Sequence, residues 1–246
     1  IDDYGRRGVH LFGVTAGNEP NKIMQDWQQL LMGPEEQRDW IKYHLGPALK
    51  PGLNASQGSR TDAQRQGTDI IMLDDQRTYM RKWTDTILGD REAAAYVDGI
   101  GFHWYMALED ALIVHPGKML AATHQAYPSK YLLATEACEG FLPARKGPFI
   151  GNWDRAWKYA YDMIEDTENW AVGWTDWNLV LDLTGGPNWK GNFVDAPVLF
   201  DSVYRDAFYK QPMYYAMGHF SKFVPPESVF LEHTNTGNME LYEAIF

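Results

Sequence analysis

The sequence predicts an α/β fold built on a parallel sheet, and three observations carry that prediction. Five short apolar runs alternate with segments at helical spacing. Gly, Pro and small polar clusters punctuate the alternation. Two of the runs end on a carboxylate: Tyr131-Leu132-Leu133-Ala134-Thr135-Glu136, and His10-Leu11-Phe12-Gly13-Val14-Thr15-Ala16-Gly17-Asn18-Glu19-Pro20. A buried parallel strand reads as a continuous apolar run, and its C-terminal end hands side chains to the rim loops. One exposed Glu at a strand end would mean little. Two of them, three strand–helix units apart, point to acid–base chemistry on a shared rim.

Each element can be justified in turn. His10 to Glu19 reads as the first strand, stopped by Pro20. Pro34-Glu35-Glu36 opens a helix, because Pro removes no needed N–H in a first turn and acids suit the positive helix end. Trp40, Ile41, His44 and Leu45 continue it until Gly46-Pro47, where it is expected to end. Residues 50–68, rich in Gly, Ser, Gln and Asn, read as an exposed loop. Thr68 to Gln76 is the second strand and Thr78 to Leu88 a helix. Ala95 to Tyr105 contains the third strand, and Leu108 to Tyr127 is mainly helical. Pro128-Ser129 turns the chain into the Glu136 strand. Trp153 to Asn169 is a helix, and Ala171 to Leu179 the fifth strand.

Beyond residue 182 the texture changes. Gly185-Gly186-Pro187-Asn188-Trp189 is a loop without the Lys-Ser/Thr of a phosphate cradle. Asn192 to Ser202 reads as a short hairpin, and Pro212 to Phe223 as an apolar helix. Ser228 to Phe246 reads as two strands around the turn Asn235-Thr236-Gly237-Asn238.

Composition narrows the function. The chain has 246 residues, 45% of them hydrophobic and 14% aromatic, enough for a substantial core. A net charge of −11 argues against a nucleic-acid partner, which wants a basic surface. The single cysteine, Cys138, excludes an internal disulfide and a thiolate metal cluster. No apolar run is long enough for a transmembrane segment. Ten tryptophans offer stacking faces for sugar rings, although indoles serve cores as readily. His44, His115, His124 and His233 lack metal-ligand spacing, so neither metal nor cofactor is expected. Asn54-Ala55-Ser56 is a glycosylation sequon, meaningful only in a secretory setting. The start at Ile1-Asp2-Asp3-Tyr4, without Met or signal peptide, is expected of a trimmed chain or a piece of a longer one.

Several stretches together carry a resemblance. They are Val14-Thr15-Ala16-Gly17-Asn18-Glu19-Pro20, Met72-Leu73-Asp74-Asp75-Gln76-Arg77, His103-Trp104-Tyr105 and Thr135-Glu136-Ala137-Cys138. The run from Gly173 to Asp195, Phe208 to Met213, and Gly218 to Phe223 extend it. In this order they resemble the glucosylceramidase branch of glycoside hydrolase family thirty. The resemblance implies a (β/α)8 TIM barrel joined to a β-sandwich. Residues 1–223 would supply about strands four to eight of the barrel, and 224–246 the start of the sandwich. Three strand–helix units would then precede Ile1. Five strands cannot close a barrel, so the isolated chain is expected to be poorly soluble or inactive.

The resemblance also implies roles. Glu19 would be the general acid/base and Glu136 the nucleophile of a retaining β-glucosidase acting on glucosylceramide. Such enzymes need two carboxyls about 5–5.5 Å apart, one protonated and one ionised. Asn18 would bond the sugar and Tyr105 would bond Glu136. Trp177 and Asn192 would line the glucose pocket. Gln76 and His103, at strand ends, would touch either the sugar or the groups behind it. Trp27 is a candidate for the pocket lip. Cys138, two residues past Glu136, would neighbour the pocket without a chemical role. Implied partners are a glycosphingolipid at a membrane surface and a saposin-like activator, in a lysosomal or secreted setting. Two other readings remain: a related hydrolase of another β-glycoside, and a non-catalytic or regulatory derivative.

Overall fold

A computed structural model of the chain describes residues 1–21, 28–53, 67–105, 116–204, 206–231 and 244–246. Two compact units divide it, Ile1–Thr135 and Glu136–Phe246.

The first unit opens with α1 (Asp2–Arg6), then β1 (Gly13–Thr15) and α2 (Pro34–Trp40). A π-helical turn, Ile41–Leu45, joins α2 to α3 (Gly46–Leu49). Next come β2 (Asp69–Gln76), a 3₁₀ turn over Arg77–Tyr79, α4 (Met80–Leu88) and α5 (Arg91–Tyr96). β3 (Gly99–His103), α6 (Pro116–Ala126) and β4 (Tyr131–Ala137) follow, the unit boundary falling inside β4. The strands neighbour one another in chain order, β1 to β4, and both β1–β2 and β2–β3 are parallel. This is the strand–helix alternation read from the sequence, with parallel pairs linked by helical crossovers.

The core of this unit lies on β2 and β3. Ile70, Met72, Leu73, Ile100 and Phe102 are fully buried, and from the helical side Met80, Trp83 and Ile87 are buried too. Each such side chain contributes about 1.5–3 kcal/mol on leaving water. Gly99 is required by packing: a Cβ there would run into the ring of Tyr131. At the other end of the sheet Asp98 accepts from Ile70 N–H (2.9 Å) and pairs with the buried ammonium of Lys50, which also donates to Tyr96 O (2.5 Å).

The second unit contains the end of β4, a 3₁₀ turn over Pro143–Arg145, α7 (Trp153–Glu168) and β5 (Ala171–Asp176). Trp177 N–H donates to Ala137 O (2.8 Å), tying the end of β5 to the end of β4. Asn152 caps α7 by accepting from Arg155 N–H (3.0 Å). A small sheet follows, in the order β6 (Leu181–Asp182), β7 (Val198–Phe200) and β8 (Phe208–Lys210). α8 (Pro212–Phe223) then packs on α7.

Several expectations are corrected. The first strand is three residues long, and Phe12 before it is 68% exposed, so the apolar run outlasts the pairing. The helix does not end at Gly46-Pro47, because Pro47 falls in the first turn of α3, where no N–H is missed. The stretch 50–68 is not exposed at its ends: Lys50 and Thr68 are buried, and 54–66 lie outside the described residues. α5 was not foreseen, although Asp90 caps it through Glu92 and Ala93 N–H. Residues 192–202 form no hairpin: β7 pairs in parallel with β6 and antiparallel with β8. The helix expected from Leu108 is described only from Pro116, 106–115 lying outside the described residues. The strands expected after Ser228 fall largely on 232–243, outside the described residues, and 228–231 and 244–246 carry no strand.

Candidate active site

In the first unit the candidate residues gather where β1, β2 and β3 end. Ala16 N–H donates to Ile71 O and Glu19 N–H to Asp74 O, both 2.9 Å, so the chain after β1 stays laced to β2. Glu19 adopts φ +41°, a conformation costing of order 1–3 kcal/mol that concentrates at functional sites. Its carboxylate is buried among neutral donors and an imidazole. Oε1 accepts from Gln76 Nε2 (3.2 Å) and faces His103 Nδ1 (3.3 Å), while Oε2 accepts from Gln29 Nε2 (3.3 Å). Gln76 Oε1 accepts Tyr105 N–H (3.0 Å), which fixes its amide so that the NH₂ must face Glu19.

His103 is fully buried, its other nitrogen, Nε2, lying 3.1 Å from Asp74 Oδ1. With both nitrogens facing carboxyl oxygens, the imidazolium form donates to both. Asp74 reaches this place through a β-bulge. Leu73 and Asp74 have φ +69° and +61°, and the β2–β3 register slips between Leu73 and Asp75. Beside the bulge, buried Gln37 on α2 bonds both backbone groups of Leu73. Its Oε1 accepts from Leu73 N–H (2.9 Å) and its Nε2 donates to Leu73 O (3.3 Å).

The adjacent acids are tuned in opposite directions. Burial pushes Asp75 up to about 6 and the charge of Glu19 adds to this, against N–H donation from Asn21 and Gln76. Burial also acts upward on Asp74, but His103 and the hydroxyls of Thr15 and Thr135 outweigh it and hold that carboxyl below its ordinary value.

In the second unit Glu136 stands at the end of β4 and Asp176 at the end of β5. Burial raises Asp176 to about 7, and the charges of Asp195 and Glu136 add to the rise. The Tyr159 hydroxyl and Asn178 N–H act against it. Behind these, Arg155 on α7 is buried, pairs with Asp195 and donates to Gly147 O and Arg145 O, both 2.8 Å. Asp195 Oδ1 also accepts from Gln211 Nε2 (2.8 Å). Glu139 lies 3.6 Å from Arg155 Nε and 2.7 Å from Lys158 Nζ.

The structure thus brings Glu19, Gln76, His103 and the Tyr105 backbone into one network within the first unit. Gln76 and His103 both meet the Glu19 carboxylate. Asn18 is turned to the backbone, its Nδ2 donating to Gln28 O (2.6 Å). Glu136 and Trp177 stand on neighbouring strand ends of the second unit, and half-buried Asn192 bonds Asn188 through its N–H (3.1 Å). Cys138 is buried and reduced, just past the end of β4. Trp27, Asn54, His115 and His233 lie outside the described residues. Among the described residues no helix is long and apolar enough to cross a membrane. Sequence reasoning missed Gln29, Gln37, Asp74 and Asp176. Asp74 and Asp176 stand inside stretches already singled out, beside Gln76 and Trp177.

Residues 1–224 match the model of the glycosyl hydrolase family 30 TIM-barrel domain. The chain belongs to glycosyl hydrolase family 30. It is 42% identical over 232 residues to the lysosomal acid glucosylceramidase of Mus musculus, covering 93% of this chain and 42% of that protein. It therefore spans less than half the length of that family 30 relative. Among solved structures it is similar to the endo-β1,6-glucanase BT3312, with TM-score 0.75, 27% identity, and 96% of this chain and 49% of that one covered. SrfJ from Salmonella typhimurium is similar too, with TM-score 0.74, 26% identity and coverage of 92% and 45%.

Proposed function

We propose that the protein containing this chain is a retaining β-glucosidase that hydrolyses glucosylceramide. The observation that carries the reading is the setting of Glu19, buried at a strand end with its carboxylate held by the side-chain amides of Gln76 and Gln29 and facing the imidazole of His103. Amide donors orient the carboxyl without adding a charge of their own. Its 42% identical relative is named a glucosylceramidase, which supports the substrate.

In this reading Glu136 attacks the anomeric carbon while Glu19 donates its proton to the departing ceramide oxygen. Water, deprotonated by Glu19, then cleaves the glycosyl ester and restores both groups. Gln76, Gln29 and His103 keep the Glu19 carboxyl oriented through both steps. Trp177 and Asn192 line the glucose site, with Asn18 and Tyr105 reaching the sugar and Glu136. Residues 1–223 form part of the barrel and 224–246 begin the sandwich domain. The protein works in the lysosome, at a membrane surface where the lipid resides, with a saposin-like activator presenting it.

A second reading, hydrolysis of another β-glucoside such as a β-1,6-glucan, draws on the likeness to the endo-β1,6-glucanase. Turnover of glucosylceramide against a β-1,6-linked oligosaccharide separates the two. The mechanism is tested by proton NMR of the first-formed glucose. The β-anomer appearing first is expected, and the α-anomer appearing first would reject retention.

A further inference from the structure

We propose that Asp176 is a positioning residue for Glu136, carrying a proton at acidic pH so that the ends of β4 and β5 hold a single negative charge. The inference rests on the reading of Glu136 as nucleophile and adds to it a regulating neighbour.

The second unit buries several carboxyls close together, and those set back from the strand ends are matched by cations. Asp195 is met by Arg155, and Glu139 by Arg155 and Lys158. Unlike Asp195 and Glu139, Asp176 has no cation paired with it among the described residues. Its Oδ1 accepts from Asn178 N–H (2.9 Å), and its Oδ2 is buried with no hydrogen-bond partner among the described residues. An ionised carboxylate with one buried oxygen left unbonded is costly, while a protonated one is far less so.

Among the described residues, the groups acting on it most strongly carry no positive charge. From α7 comes Tyr159, packed against Trp174 with ring centroids 4.8 Å apart, whose hydroxyl approaches the Asp176 carboxyl. From β4 comes Glu136, and from the loop before β7 comes Asp195, both negative and both disfavouring a second charge. The same surroundings push the Tyr159 hydroxyl well up, so it remains a donor throughout the working range. The rise of Asp176 to about 7 agrees with this arrangement. A carboxyl that stays neutral lets Glu136 ionise without a like-charged neighbour. Near neutrality the second charge appears and the environment of the nucleophile changes.

The test follows the carboxyl carbons by ¹³C NMR in the whole protein, with the pH dependence of kcat/KM alongside. The Asp176 resonance is expected to titrate near pH 7, and that of Glu136 to show a second inflection at the same pH. Glu136→Gln should lower the Asp176 midpoint, and Tyr159→Phe should raise it because the nearby hydroxyl, which favours the ionised form, is lost. Asp176→Asn should remove the second inflection and change kcat/KM more above pH 7 than below it, while Asp176→Ala loses activity across the range. An Asp176 midpoint in the ordinary carboxylate range would overturn the proposal. So would a midpoint that Glu136→Gln leaves in place. Failure of the nucleophile assignment is read separately, from where a trapped glycosyl group is attached, since the NMR titration needs no turnover.

Discussion

The two units furnish their acids in contrasting ways. Around Glu19 the partners are Gln76, Gln29 and His103, and the positive φ of Glu19 adds strain to a buried carboxylate. Around Asp195 and Glu139 the partners are Arg155 and Lys158, and the pairs join α7 to the loops that flank it. A guanidinium locks a carboxylate as an anion, which suits a scaffold and spoils a proton donor. In the first unit the imidazole takes the middle course, joining Glu19 to Asp74 through one ring. Under the proposed function, charge neutralisation marks the acids that hold the fold, and amide or hydroxyl partners mark those placed for chemistry.

The largest effect expected from breaking this contrast is on the Glu19 side. Glu19→Gln should lower kcat/KM by about 10²–10⁴-fold on a glucoside whose alcohol needs a proton to depart. The loss should be much smaller on an activated aryl glucoside, and an equal loss on both would break the comparison. On the scaffold side, Arg155→Met takes the cation from buried Asp195 and one of two from Glu139, and should cost about 3–5 kcal/mol of unfolding free energy, measured by denaturant titration. Lys158→Met touches only the half-exposed partner of Glu139 and should cost less than about 1 kcal/mol.

A smaller effect is written in the pH dependence. Asp75 and Asp176 are raised to about 6 and about 7, so the folded state binds their protons more tightly than the unfolded chain does. Their contribution to stability is full below about pH 4 and is lost as the pH climbs through 6 and 7. Melting temperature should fall across that window, Asp75→Asn removing a share of the decline that ends near pH 6 and Asp176→Asn a share that continues to near pH 7. His103→Phe leaves Asp74 buried without its main partner and should cost about 1.5–3 kcal/mol. Smallest of all, Arg81→Ala removes an exposed 3.8 Å pair with Asp85 and should shift stability by less than about 0.5 kcal/mol.

What was legible in the sequence follows the same physics. β2, β4, β5 and the helix from Trp153 could be read because a strand buried on both faces, or an amphipathic helix, leaves a pattern in consecutive residues. The placing of Glu19 and Glu136 near strand ends could be read because a carboxylate after such a run stands out. β1 was overread, since His10 to Phe12 are as apolar as a strand whether or not a neighbour pairs with them. Lys50 in a Gly- and Ser-rich stretch looks solvated, and only the fold brings Asp98 to it. Asp74-Asp75 reads as a polar strand end, because the left-handed turn that aims Asp74 at His103 leaves no mark in residue type. Arg155, Glu139 and Asp195 are separated by up to 56 positions, and nothing local pairs them (195 − 139 = 56).

The account rests on a division of labour between a proton-exchanging Glu19 and an attacking Glu136. A 2-fluoro glucoside with a good leaving group slows the second step and traps the glycosyl ester, and peptide mapping by mass spectrometry locates it. The account predicts one added sugar on the peptide carrying Glu136. A label on Glu19, on Asp176 or on any other side chain would contradict it.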